Sequence, residues 1–164
     1  MAIVDLALHA EDERNLSAVV SRLREDANAR IVFLLDRNGH ALSMAGEMGE
    51  TDPTALASLA AGNVAATEGL ARLVGEKSFT TLWHEGERDS LHISAVGPRL
   101  ILIVVFDERS SLGLVRLRVR KATADLYGVV EQIQRRPAPA GVSAGGFDFS
   151  DLTDSDLDKL FDEN

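Results

Sequence analysis

Residues 29–45, ARIVFLLDRNGHALSMA, contain two strands and the turn between them. Ala29 to Asp36 is a dense apolar run, the pattern of a central strand buried on both faces. Asn38-Gly39 follows, and both residues tolerate positive φ, as a tight type I′ hairpin requires. The partner strand falls at about His40–Ala45. A second continuous apolar run, Leu100–Phe106 (LILIVVF), predicts another central strand far along the chain.

Around these runs the pattern alternates between helix and strand. From about Glu11 to Asn28, residues Leu16, Val19, Val20, Leu23 and Ala27 form one apolar stripe opposite a charged face. Asp52-Pro53 supplies a cap and a first-turn proline for a helix running to about Gly75. Strands follow at Phe79–His84, Ser90–Val96 and Leu100–Asp107, joined by EGERD and by the Gly97-Pro98 turn. LVRLRVR (114–120) alternates like a strand. The wider spacing of Leu112, Val115, Val119, Ala122, Leu126, Val129 and Ile133 instead predicts a helix over about Ser111–Arg135. The order is α-β-β-α-β-β-β-α. This predicts an α+β domain over 1–136, with one five-stranded, mainly antiparallel sheet and helices packed on it.

Two further segments follow. Residues 137–147, beginning PAPAG, read as a flexible linker. Residues 148–164 carry seven acids and one base. Thr153 stands three before Asp156, a weak capping box, and Leu152, Leu157, Leu160 and Phe161 would share one face of a short helix. A helix this short is unstable alone and would form on binding a partner.

The helix over 53–73, PTALASLAAGNVAATEGLARL, has two contrasting faces. Leu56, Leu59, Ala66, Leu70 and Leu73 recur at helical spacing and are expected to bury against the sheet. Ala57, Ala61, Ala65 and Gly69 stand four apart, with Gly62 beside them, and form a surface without large side chains. Each glycine costs about 1 kcal/mol relative to alanine in a helix. Such a face suits tight packing inside the fold, helix against helix in a dimer, or docking of a partner.

The chain has 164 residues and a formal net charge of −9, six units of it from residues 148–164. That balance disfavours nucleic-acid binding, which rests on neutralising phosphate. With no cysteine, disulfides and thiolate metal sites are excluded, which suits a reducing cytoplasm. The apolar runs are far shorter than the ~20 residues of a membrane span, and MAIVDLALHAEDE lacks the basic start of a secretion signal. A soluble, cytoplasmic protein is expected.

Catalytic signatures are missing. Gly75-Glu76-Lys77-Ser78 loosely echoes a phosphate loop, but the glycine five positions earlier is absent. His9, His40, His84 and His92 show no ligand spacing, and no nucleophile elbow occurs. Neither a cofactor nor catalysis by this chain alone is expected. Arg37 and Arg109 lie in loops from which an arginine finger could extend, although a solvated turn arginine is commoner. FTTLWH (79–84) has no Pro, Lys or Gly to guard an edge, so it invites strand pairing with a second copy. Phe79, Thr81, Leu82 and Trp83 are the candidate dimer contacts.

Taken together, DANARIVFLLDRNGHALS (26–43), TALASLAAGNVAATEGLARLVGE (54–76), WHEG (83–86), DERSSLGLVRLRVRKA (107–122) and DLTDSDLDKLF (151–161) resemble the Roadblock/LC7 family, with its profilin- and longin-like fold. The similarity is strongest to its MglB-type members, regulators of the Ras-like GTPase MglA in cell polarity and gliding motility. The first ten residues and the linker have no counterpart. The resemblance implies a homodimer with a ten-stranded sheet joined through the third strands. It implies a docking platform for one MglA-like GTPase, with Ala61, Gly62, Ala65 and Gly69 touching the switch region. It implies activation of GTP hydrolysis without an arginine finger, and action at a cell pole. Leu157, Leu160 and Phe161 would make a second, tethered contact that affects nucleotide exchange. A Roadblock dimer that recruits a GTPase without activating it is the alternative. A small-molecule sensor is a weaker one, because the expected core has few polar residues to orient a ligand.

Overall fold

The computed structural model describes residues 8–136 and sets the two apolar runs side by side. They become β1 (Ile31–Asp36) and β5 (Leu100–Phe106), paired antiparallel from Ile31↔Val105 to Asp36↔Leu100. The other elements are α1 (Ala10–Asp26), β2 (Ala41–Gly46), α2 (Pro53–Leu73), β3 (Thr81–Glu85), β4 (Ser90–Val96) and α3 (Leu112–Arg135). The α+β class and element order agree with expectation. The sheet order is β2-β1-β5-β4-β3, and every pairing is antiparallel. The expected linker (137–147) and acidic segment (148–164), with Leu157, Leu160 and Phe161, lie outside the described residues.

Strand alternation sorts the core into two layers. Val32, Leu34, Leu102, Val104 and Phe106 point to one side of the sheet and meet Leu16, Val20 and Leu23 of α1 and Val115, Val119, Ala122 and Leu126 of α3. Ile31, Phe33, Leu35, Ile101 and Ile103 point to the other side and meet α2. Apart from Asp36 at the end of β1, both central strands are therefore apolar throughout, as suits strands buried on both faces. The periodicity of α3 prevails over the local alternation of LVRLRVR because its 3.6-residue stripe fits α1 and the sheet together.

Two local expectations need correction. The turn between β1 and β2 is not type I′, because Gly39 has φ +87° while Asn38 keeps a negative φ. The Asp36 carboxylate accepts the N–H groups of Asn38 and His40, at 2.8 and 2.9 Å, and selects a longer turn with one left-handed glycine. The third strand begins at Thr81 rather than Phe79, since pairing with β4 starts at Thr81↔Ser94.

The N-terminal end of α1 and the C-terminal end of α3 are tied by a buried carboxylate. Asp12 is 2% exposed and accepts two bonds from the Arg136 guanidinium, at 2.8 and 2.9 Å, and one from the His9 backbone N–H at 2.9 Å. The Arg136 bonds, then the His9 bond, hold its pKa below the ordinary 3.8. Its stabilising effect is therefore complete above pH 3.8 and lost as pH falls through the lower, folded value. Asp12→Asn should be less stable than wild type in urea at neutral pH. The difference should narrow as acid protonates Asp12, so a gap that stays constant from pH 7 down to about pH 2 would contradict this account.

Candidate functional site

The outer face of α2 is the candidate site. Asp52 starts the helix by accepting from the N–H groups of Thr54 (2.9 Å) and Ala55 (3.3 Å), with Pro53 in the first turn. The inner face is made of Ala57, Ala60, Ala61 and Val64, packed on Phe33, Leu35, Ile101 and Ile103. These large sheet side chains fill their own side of the contact, so the helix approaches on small residues. The β1–β2 turn is equally close. A Cβ on Gly39 would lie 3.2 Å from Ser58 Cα and 3.3 Å from the Ala57 carbonyl oxygen.

This arrangement overturns part of the expected division of the α2 faces. Leu59, Leu70 and Leu73, expected in the core, are 73%, 57% and 84% exposed. Ala61, expected on the docking surface, turns inward and is 9% exposed. The other small residues remain outside. Gly62 and Ala65 are exposed, and Gly69 is half-buried.

At about 100° per residue the outer face divides lengthwise. Leu59, Leu70 and Leu73 lie on the side nearer β3. Their neighbour Asn63 contacts His84 of β3, Nδ2 to Nε2, at 3.1 Å. Ser58, Gly62, Ala65 and Gly69 lie on the side nearer the β1–β2 turn. There Ser58 meets Gly39, and Glu68 binds the Arg37 guanidinium. The exposed Arg72 flanks this small-residue strip at its C-terminal end. A Cβ on Gly62 would meet nothing within 4 Å, and one on Gly69 only the Arg72 guanidinium at 4.0 Å. Packing within the protomer therefore gives no reason for either glycine.

Beside the leucines, β3 is an edge strand that pairs with β4 alone among the described residues. Thr81 is exposed. Leu82 packs inward against the α2 layer, and Trp83, on the opposite face, is 47% exposed. Phe79 precedes the strand and is 41% exposed. Leu59, Leu70, Leu73 and Val74 form an exposed apolar border along α2, while Trp83 is exposed on the other face of the sheet. Sequence periodicity missed this border because α2 is apolar nearly all round. Its inner and outer faces differ in side-chain size rather than polarity.

The two loop arginines are engaged within the fold. Arg37 donates to Glu68 and, at 3.3 Å, to the Gly97 carbonyl oxygen. Arg109 Nε donates to both Asp107 oxygens at 3.0 and 3.1 Å. This pairing raises the Arg109 pKa and lowers that of Asp107. A depression of about 330 Å³ lies on the other side of the sheet, lined by Arg24, Glu25, Asn28, Ala29 and Arg109. Its lining is largely polar and charged, and it is separate from α2.

The Roadblock/LC7 domain model matches residues 16–106. Among solved structures, the chain is 48% identical to Myxococcus xanthus MglB, with a TM-score of 0.75, over 80% of this chain and 99% of that one. It is 33% identical to the gliding protein MglB of Thermus thermophilus, with a TM-score of 0.70, over 76% and 95% of the two chains. A structure described as MglB with a tetrameric arrangement is 32% identical, with a TM-score of 0.70, over 77% and 95%. No curated protein matches the chain.

The two halves of α2 should respond differently to substitution. Gly69→Ala should raise the stability of the protein by about 0.5–1 kcal/mol, because it removes a helix-interior glycine from open space. Ala57→Leu should lower stability by about 1–3 kcal/mol by overpacking the helix–sheet contact. Urea denaturation of both variants tests the assignment of faces.

Proposed function

The chain belongs to the Roadblock/LC7 family, among its MglB-like members, and from that premise we propose that it activates a Ras-like small GTPase of the MglA type. The active unit is a homodimer. Its two β3 edges pair into one ten-stranded sheet, and the partner covers Leu59, Leu70 and Leu73 on the α2 side together with Phe79 and Trp83 at the strand edge. Leu82 and Thr81 contribute through the strand itself. The small-residue strips of the two α2 helices then form one platform, and Gly62, Ala65 and Gly69 receive the switch region of a single GTPase. Ala61 supports the platform from beneath.

One observation carries this reading. The outer face of α2 holds two glycines that the protomer's own packing does not require, beside leucines that it leaves exposed. A surface of backbone and methyl groups permits unusually close approach by another main chain.

Activation follows from differential binding. A platform that fits the hydrolysis-ready arrangement of the switch better than the resting one shifts the population toward it, tenfold for each ~1.4 kcal/mol of difference. No arginine need enter the GTPase. Arg37 is occupied by Glu68 and Gly97, and Arg109 by Asp107, which favours this mechanism over an arginine finger. Leu157, Leu160 and Phe161 form a second, tethered contact with the GTPase and promote nucleotide exchange. The protein acts in the cytoplasm at a cell pole and contributes to polarity and gliding.

Two measurements test the proposal. Single-turnover GTP hydrolysis by the cognate GTPase should accelerate with the wild-type protein. With Ala65→Arg, which places a long charged side chain on an exposed position, the acceleration should be lost while the fold is kept. Binding without any change in rate would make the protein a recruiting adaptor instead. The paired change Leu70→Glu and Leu73→Glu should convert a dimer into a folded monomer by light scattering. A dimer that persists would exclude the leucine border as its interface.

A further inference from the structure

The solvent face of α3 carries an unbalanced run of positive charge. Arg116, Leu117, Arg118, Val119, Arg120 and Lys121 follow one another, and Arg116, Arg120 and Lys121 are exposed. None of the four cations has a carboxylate within 4.0 Å among the described residues, whereas Arg30, Arg37, Arg109, Arg135 and Arg136 are each paired. Arg116 and Arg120 stand four apart on the helix, where like charges repel. Leu117 is 58% exposed in the middle of this run, and Tyr127 is 46% exposed two to three turns further on. Between them Ala124 is exposed, and next to Tyr127 a Cβ on Gly128 would meet nothing within 4 Å. The face is thus a low apolar track bordered by four cations against one acid, Asp125, on a protein whose net charge is −9.

We propose that the acidic segment 148–164 of the same chain docks on this face of α3. Charge complementarity is the first argument. The segment carries seven acids against one base, with Leu152, Leu157, Leu160 and Phe161 spaced among them. It therefore offers the sign of charge that residues 116–121 lack, and apolar groups for Leu117 and Tyr127. Reach is the second argument. The chain leaves α3 at Arg136, a point fixed by the buried bonds to Asp12. From there back to Arg116 is about 30 Å along the helix at 1.5 Å per residue. The eleven residues 137–147 span at most about 36–40 Å when extended and about 17–20 Å on average as flexible chain. The acidic segment consequently reaches 116–128 while running back along α3. Tethering makes the encounter intramolecular, so weak individual contacts suffice. In this position the segment is withheld from any other partner, which must compete with α3 for it.

The test uses the full chain and contains no GTPase, so its result is independent of the activation reading. The sequence has no cysteine, so Ser155→Cys accepts a single nitroxide label. Paramagnetic broadening of backbone amide signals then reports where the segment lies. The expected result is loss of signals from residues 113–128, with those of α2 retained. The lost signals should return in Arg116→Glu/Arg120→Glu/Lys121→Glu and, in the unaltered sequence, at 1 M salt, where charges are screened beyond about 3 Å. The salt arm decides the matter should the triple variant fail to fold. Weak broadening spread evenly over the surface, or broadening centred on α2, would overturn the proposal. So would broadening of ¹⁵N-labelled chains without nitroxide when they are mixed with spin-labelled ¹⁴N chains, since the segment would then sit on another copy.

Discussion

The architecture depends on how closely α2 can lie on the sheet. Phe33, Leu35, Ile101 and Ile103 fill that side of the interface from below. The helix must therefore contribute almost nothing but backbone and methyl groups at Ala57, Ala60 and Ala61. Once the alanines are committed inward, the rotation of the helix is set. Every leucine of the second half of α2 then faces away from its own sheet, and the glycines face away with them. The β1–β2 turn reinforces the same rotation, because Gly39 rests on the helix backbone at Ala57 and Ser58. A single close contact thus determines what the protein presents to other molecules.

The fold was legible because its central elements carry uncompromised signals. IVFLL and LILIVVF are short, β-branched apolar runs bounded by turn residues, the pattern of buried strands, and α1 and α3 each show one apolar stripe against a charged face. Asp52-Pro53 marked its helix start correctly. The α2 faces were not legible from pattern alone. Hydrophobic periodicity assumes that the more apolar side faces the core, and in α2 leucines and alanines compete on opposite sides of one helix. Only the volume of the opposing sheet residues settles that competition, and these are known once strands and helix are juxtaposed. The turn at Asn38-Gly39 was misread for a smaller reason. The carboxylate of Asp36 captures two backbone N–H groups and outweighs the preference of the Asn-Gly pair.

The two sides of the sheet divide the work of the molecule. On one side α2 stands alone, and its outer surface is apolar and almost free of charge. On the other side α1 and α3 bury a larger set of residues and carry the charged groups, from the Asp12–Arg136 pair to the row of cations beyond Arg116. Buried His92 belongs to this second side. Its ring nitrogen Nδ1 meets the Ser94 hydroxyl at 3.1 Å, and burial, then Arg116, depresses its pKa. Shape complementarity is therefore concentrated on one surface, and electrostatic character on the other.

The pairing of β1 with β5 also bears on the order in which the molecule is assembled. Ile31 meets Val105 and Asp36 meets Leu100, so the centre of the sheet joins segments some 64 to 74 positions apart. The hairpins β1–β2 and β4–β5 can form from neighbouring chain, but neither has a complete hydrophobic face alone. Closing the long connection costs entropy before the core repays it. During synthesis, α1, β1, β2 and α2 emerge before the seven residues of β5, which supply Ile101 and Ile103 to one core layer and Leu102, Val104 and Phe106 to the other. Neither layer is complete until β5 stands between β1 and β4, and one of them also waits for α3, so both cores close only with the last quarter or so of the described chain.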